Sequence, residues 1–366
     1  MTPLLPSGFA DRLPPFADAA AAVEARVLGT AHAHGYERAD PPLVEFADGL
    51  ATRLKAGGLR DAVRFVDPVS QATLAIRPDL TAQVARIAAT RMGHHPRPVR
   101  LSYAGSVLRL RASELTPARE RRQLGCELIG LDTVAAAGEV LQVAVEALQA
   151  AGATGLSVDL TLPDLVHTLA TGPLPVPAEQ VASLRDRLDA KDAGGVAAIA
   201  PAYLPLIEAA GPFAPALEKL RALDLGGVLA SRLDGLAQLA RALEGRARVT
   251  LDPTERHGFE YQSWLGFSLF VDGAGAEVGR GGTYTLLHEN GQEEVATGFS
   301  LFADALVASA PAPARRRLFL PLGTPADAGV AMRAQGWVTV AALAAGDTPE
   351  AQLCTHVWRS GEAAPL

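Results

Sequence analysis

Cysteine is almost missing from this chain: Cys126 and Cys354 are the only two in 366 residues, and they stand far apart. That excludes a disulfide framework and a thiolate zinc site, and it points to a reducing cytoplasm. Long apolar runs are missing too. No stretch reaches the roughly 18 residues that mark a membrane-spanning helix. The opening MTPLLPSGFADRLP has no basic start followed by an apolar block, so no secretion signal is expected. The third absence is basic excess. Lys and Arg number 33 against 40 Asp and Glu, a formal charge of −7. No global positive field and no basic arm offers itself to a nucleic acid.

What is present is apolar mass, 49% of residues, enough for a large core spread over two or three domains. The most informative stretch is VRLSYAGSVLRLRASELTPARERRQLGCELIG, residues 99–130. Its first part, 99–110, alternates at strand period, and 123–130 does so again after a polar turn around 112–118. This predicts two antiparallel strands joined by a long loop. Arg109 and Arg111 then share one face of the first strand, and Gln123 and Glu127 share one face of the second. Glu127 lies inside the otherwise apolar LGCELIG. A buried carboxylate without a partner costs several kcal/mol, so a donor or a cation should meet it.

Periodicity elsewhere predicts helices over 17–35 and 133–151, the latter stopped by Gly152. Short strands are expected over 36–44, 156–162, 249–251 and 267–271, with a glycine-containing loop at 56–59. Between 163 and 246 the chain turns Ala- and Leu-rich, lacks strand alternation and is broken by PLPVP, Gly194-Gly195 and Gly226-Gly227. It reads as a helical insertion. After residue 310 a linker, APAPARRR, leads into a short strand–helix–strand segment.

Taken singly, these residues have ordinary explanations. Arg109, Arg111, Arg119, Arg121 and Arg122 read as a solvated turn. Asp79 or Thr81 after Pro78 reads as a helix cap ahead of Ala82, Ala85, Ile87 and Ala88. His257 reads as a surface or capping histidine.

Taken in order, they resemble the class II aminoacyl-tRNA synthetases, and the histidyl enzymes in particular. GSVLRLR is similar to the second motif, with Arg109 at its arginine, and RRQLGCELIG to the histidyl-specific strand that follows. LLPSGFADRLP and HGYERADPPLVE resemble the opening segment and first motif. LAIRPDLTAQVAR resembles the segment that meets the amino acid, HGFEYQSWLGFSLF the histidine-specific loop and strand, and GGTYTLL with ATGFSLFADAL the approach to the third motif. Several segments in the right order are more specific than any one. The resemblance implies an α/β (α+β) fold, an antiparallel sheet flanked by helices and formed by 1–162 and 247–310. It also implies a helical insertion at 163–246 and a truncated, anticodon-domain-like segment at 311–366. It further implies a histidine pocket: Asp79, Thr81 and Gln123 at the ammonium, Arg109 at the carboxylate, Glu127 and Tyr284 at the imidazole, and His257 and Tyr261 on the histidine-specific loop.

The departures from that pattern fall on the nucleotide side. The family's adenine-reading glutamate is Arg111 here, and a guanidinium has no acceptor. Its adenine-stacking phenylalanine is Arg121, and its phosphate-holding third-motif arginine is Ala305. Its loop arginine is His257, with Arg256 one residue out of place. The loop acid is Glu260, and the second of the paired tyrosines is Gln262. Each lost charge-assisted contact is worth about 1.5–3 kcal/mol, so ATP binding is expected to fall by several powers of ten and adenylation to be absent.

A synthetase-like core without its ATP contacts and without a full anticodon module resembles the regulatory subunits of ATP phosphoribosyltransferase. That resemblance implies a non-catalytic, cofactor-free and metal-free cytoplasmic chain. It would activate a short catalytic subunit at the first step of histidine biosynthesis and take part in histidine feedback. It would bind free histidine, engage no tRNA and no membrane, and form a homodimer within a hetero-octamer. Three alternatives stay open: an active histidyl-tRNA synthetase, a phosphoribosyltransferase in its own right suggested by EEVATG at 293–298, and a histidine sensor with another client.

Overall fold

Alternation at period two builds one large sheet, and helical periodicity supplies what covers it. The computed structural model describes residues 4–51, 62–111, 117–223, 226–256, 262–288, 290–309 and 316–366. Contacts divide the chain into two units, Met1–Pro311 and Ala312–Leu366.

In the first unit, helix α1 (Phe16–Ala33) leads to the two-residue strand β1 (Glu37–Arg38) and to β2 (Val44–Phe46). The single strand expected over 36–44 is therefore two pieces. Pro41 and Pro42 lie between them and can give no N–H to a ladder. A short helix α2 (Ala47–Ala51) follows, then β3 (Arg64–Val66), β4 (Thr73–Ile76) and helix α3 (Thr81–Thr90). The hairpin is β5 (Val99–Leu108) and β6 (Glu120–Ile129), followed by α4 (Val134–Ala150) and β7 (Ser157–Thr161).

The stretch expected to be a helical insertion holds α5 (Leu165–Ala170), α6 (Ala178–Asp189), α7 (Ala193–Ile199), α8 (Leu204–Glu208), α9 (Phe213–Ala222) and α10 (Ala230–Ala242). It also contributes one two-residue strand, β8 (Gly211–Pro212), too short to show alternation in sequence. The chain then returns through β9 (Arg248–Leu251), β10 (Gln262–Phe270), β11 (Gly279–Leu287), β12 (Glu293–Phe302) and α11 (Ala303–Ser309).

Nine strands join in the order β1-β5-β6-β12-β11-β10-β7-β9-β8, while β2, β4 and β3 form a separate antiparallel sheet. The large sheet is antiparallel except where β1 meets β5 and β7 meets β9. Its two faces differ in chemistry. Leu124, Cys126, Leu128, Phe299, Leu301 and Phe267 share one face and merge with α1 and α4 into the main core. Helix α4 is buried nearly all round because it packs on α1, α10, β6 and β12. Its start is fixed by Thr133, whose hydroxyl accepts the Ala136 N–H at 3.1 Å.

The opposite face is partly covered by α3, through Leu80, Val84, Ala85 and Ala88, against Leu101, Tyr103, Ile129 and Tyr284. Past α3 it carries polar groups. The hairpin strands differ slightly from expectation: β5 ends at Leu108 and not at 110. The Arg109 N–H still pairs with the Arg119 carbonyl at 2.9 Å, but Leu110 and Arg111 turn out into solvent. Arg109 and Arg111 therefore lie past the strand and not on it.

In the second unit, β13 (Arg317–Leu320), α12 (Ala326–Ala334) and β14 (Val338–Ala341) form the expected strand–helix–strand. A hairpin of β15 (His356–Arg359) and β16 (Glu362–Pro365) extends the sheet to the order β14-β13-β15-β16. Ser360 and Gly361 turn that hairpin with φ of 49° and 100°. Leu318, Leu320 and Met332 form its core against Trp337 and Trp358.

Candidate functional site

The sheet register gathers the polar face residue by residue. Across β5 and β6, Tyr103 pairs with Gly125 and Gly105 with Gln123; across β6 and β12, Gly298 pairs with Glu127 and Ser300 with Gly125. Tyr284 joins from β11, two positions beyond Gly282, which pairs with Gly298. Paired residues point to the same side. Glutamate, glutamine, tyrosine and serine side chains thus converge over a floor of glycines.

Glu127 is 1% exposed. Tyr284 donates its hydroxyl proton to one carboxyl oxygen at 2.7 Å, and Tyr103 donates to the other at 3.0 Å. The donor that the sequence demanded is therefore a pair of phenols. Burial pushes the Glu127 pKa up to about 8, against the two tyrosine hydrogen bonds that lower it, with Asp79 raising it further. Burial likewise raises Tyr103 far above the ordinary tyrosine value.

The other end of the pocket is built by the segment ahead of α3. Arg77 anchors it, donating to the Ser106 carbonyl and to the Pro41 carbonyl at 2.8 Å each. Gly105 leaves room for that guanidinium, since a Cβ there would stand 2.2 Å from it. Asp79 then accepts the Thr81 N–H at 2.7 Å and the Gln123 amide at 3.0 Å. Asp79 is not the N-cap expected of it: Leu80 takes that place without a side-chain cap, and Asp79 holds the first helical N–H from one residue earlier. Gln123 accepts the Leu80 N–H at 3.0 Å on its carbonyl, so it faces the pocket as a donor, and Asp79 is the acceptor suited to an ammonium. The Thr81 hydroxyl sits 3.1 Å from the Tyr103 hydroxyl, toward Glu127.

Asp79, Thr81, Gln123, Glu127 and Tyr284 are therefore brought together. Arg109 lies just past β5, close enough to Arg121 to lower its pKa, with no side-chain hydrogen bond or ion pair among the described residues. His257 and Tyr261 lie outside the described residues. Tyr103, Ser300 and Gly298 belong to the constellation but escaped sequence reasoning. The available signal was the run of small residues in ATGFS, strange for a strand that pairs on both sides.

The nucleotide-side positions also have definite environments. The Arg121 guanidinium lies 3.5 Å over the Phe302 ring, and burial, then Arg109, lowers its pKa to about 10. It remains a cation at neutral pH. Arg122 pairs with Glu24 at 2.8 Å and Arg119 lies over Phe9, so three of the five arginines have partners. Arg111 is exposed and Ala305 packs against the main core. Arg256 is tied to α6: its N–H bonds Asp189 at 2.9 Å, and its guanidinium pairs with Asp186. EEVATG forms the first part of β12, paired on both sides with β11 and β6 from Ala296 on, so its phosphate-loop reading does not survive. Among the described residues no group of three or more His, Cys, Asp or Glu side chains is gathered to hold a metal ion. No helix among them is long and apolar enough to cross a membrane.

The histidyl-tRNA synthetase family model matches residues 8–306. The chain is 45% identical to an ATP phosphoribosyltransferase regulatory subunit of Paramagnetospirillum magneticum, over 96% of this chain and 95% of that one. It is 42% identical to the protein of that name from Rhodospirillum centenum, over 98% and 95%. Among solved structures, an ATP phosphoribosyltransferase regulatory subunit/histidyl-tRNA synthetase from Bacillus halodurans superposes with a TM-score of 0.80. The identity is 24%, over 96% of this chain and 97% of that one, a likeness of fold.

Proposed function

The chain belongs to the family of ATP phosphoribosyltransferase regulatory subunits, built on the histidyl-tRNA synthetase fold, and from that premise we propose that it holds free histidine without adenylating it. The pocket passes that signal to a short catalytic ATP phosphoribosyltransferase. The observation that carries the reading is Glu127: a buried carboxyl group bonded by two phenols and connected through Tyr103, Ser300 and Gln123 to Asp79. A group so placed suits an imidazole N–H, and Asp79 suits an ammonium. Arg109 supplies a guanidinium for the ligand carboxylate.

Among the described residues nothing comparable serves a triphosphate. Arg111 offers no acceptor to an adenine amino group, Arg121 is engaged by Phe302, Ala305 brings no charge, and Arg256 is drawn to α6. The chain acts as a subunit and not as a catalyst, as a homodimer within a hetero-octamer in the cytoplasm. Histidine shifts that assembly between two states in proportion to its differential affinity for them.

The test is reconstitution. The purified chain, alone with ATP and phosphoribosyl pyrophosphate, should yield no product. Adding it to a short catalytic subunit should raise that subunit's rate at least tenfold, and histidine should lower it again. Equal rates with and without this chain would overturn the proposal.

A further inference from the structure

Tyr103 and Ser300 form a hydrogen-bonded chain between the two ends of the pocket, and its direction can be worked out from the donors. The Leu80 N–H can only donate, so the atom of Gln123 that it meets at 3.0 Å is the carbonyl oxygen. The Gln123 amide nitrogen then has two protons. One goes to the Asp79 carboxylate at 3.0 Å and the other to the Ser300 hydroxyl oxygen at 2.8 Å. Ser300 accepts there, which leaves its own proton for the Tyr103 oxygen 3.0 Å away. Tyr103 has one proton, and of its two acceptors, Glu127 at 3.0 Å and the Phe299 carbonyl at 3.4 Å, Glu127 is the nearer. The backbone N–H at the head of α3 thus sets the polarity of every link up to the carboxylate.

Resting on the reading of this cavity as a histidine site, we infer that Tyr103 is a positioning residue that, through Ser300, makes the ammonium end and the imidazole end of the pocket act together. Each end alone offers a single acceptor group. Joined by the relay, a shift of Asp79 or Gln123 on meeting an ammonium changes the donor that Glu127 receives, and with it how readily the carboxyl group shares a proton with an imidazole. Chains of hydrogen bonds polarise one another in this way where water is excluded. Tyr103 is fully buried. The groups that face Glu127 are Asp79 ahead of α3 and Thr81 on it, Tyr103 on β5, Ser300 on β12 and Tyr284 on β11, with Cys126 beside it on the strand. Asp79 is the charged one among them, and it already belongs to the relay.

The experiment follows Glu127 by carboxyl-carbon NMR in the full chain without ligand, and histidine affinity by calorimetry from pH 6 to 10. In Tyr103→Phe the carboxylate loses a donor, so its midpoint should rise by about one pH unit. Histidine affinity at pH 7 should fall about tenfold, and its alkaline decline should move upward with the midpoint. In a Glu127→Gln background the same Tyr103 change should have almost no effect on affinity. Ser300→Ala, which removes one oxygen, carries the same prediction at smaller size should the Phe variant not fold. An unmoved Glu127 midpoint, or additive losses in the double variant, would overturn the relay. A midpoint that moves in a protein that binds no histidine would uphold the relay and discard the histidine reading.

Discussion

Replacing Glu127 with glutamine should weaken histidine binding by about ten- to a hundredfold while partner association and fold persist. The amide keeps the shape of the carboxylate but gives up a charge-assisted hydrogen bond, worth about 1.5–3 kcal/mol. It also turns an N–H₂ toward a tyrosine proton that has been donating to an oxygen. Calorimetry on the purified variant measures the loss, and unchanged affinity would remove Glu127 from the site.

The pH dependence follows from the same residue. Below about 8 the empty pocket holds Glu127 protonated, because burial outweighs the two phenol donors. Histidine arriving as a neutral imidazole then shares the proton already there. Above that midpoint binding must take up a proton, and below the ordinary histidine pKa of about 6.5 it must release one. Affinity should therefore be greatest between about pH 6.5 and 8, and the glutamine variant should lose the alkaline decline.

Stability of the unliganded chain has a matching sign. The folded pKa lies above the unfolded value of 4.5, so this group's contribution is complete below 4.5 and is lost as pH rises through about 8. The loss is on the order of 5 kcal/mol. Urea unfolding should show Glu127→Gln gaining on the native chain between about pH 4.5 and 8, with no further gain above.

Gly298→Ala should be severely damaging to both fold and pocket. A Cβ at Gly298 would stand 1.7 Å from a Glu127 carboxyl oxygen and 2.7 Å from the Cys126 backbone oxygen. The first of these could yield only by breaking the Tyr284 and Tyr103 hydrogen bonds, and the second is backbone. Overpacking of this kind, with a buried carboxylate left without its donors, costs about 3 kcal/mol or more. Histidine binding should drop more than a hundredfold. Gly275→Ala is the control: its added carbon meets nothing within 4 Å. Thermal unfolding should separate the two variants by about 6 °C or more, and equal melting temperatures would show the glycine floor to be dispensable.

Much of this was legible before the fold was known. Glu127 declared itself as a carboxylate inside an apolar strand, and Asp79 and Thr81 as polar residues at a helix start after Pro78, because both signals are local, although Leu80 and neither of these two is the N-cap. Tyr103, Ser300 and Gly298 did not, because their meaning comes from register. Ser300 reaches the pocket only through the β6–β12 pairing that sets it opposite Gly125, and no periodicity within β12 specifies that alignment. Gly298 reads as a weak strand residue until the carboxylate beside it is seen. Gln123 was legible as a pocket residue, but its orientation was not, since the Leu80 N–H that fixes it arrives from another element. The β15–β16 hairpin, by contrast, does carry a local signal. Ser-Gly between HVWR and EAAP is a turn dipeptide, and both residues take positive φ.

ATP–pyrophosphate exchange with saturating histidine tests most directly whether this cavity keeps an amino acid while doing nothing to a nucleotide. The purified chain should exchange no label above the protein-free rate, even where calorimetry shows histidine bound. Histidine-dependent exchange at a synthetase-like rate of about one per second or faster would contradict the account.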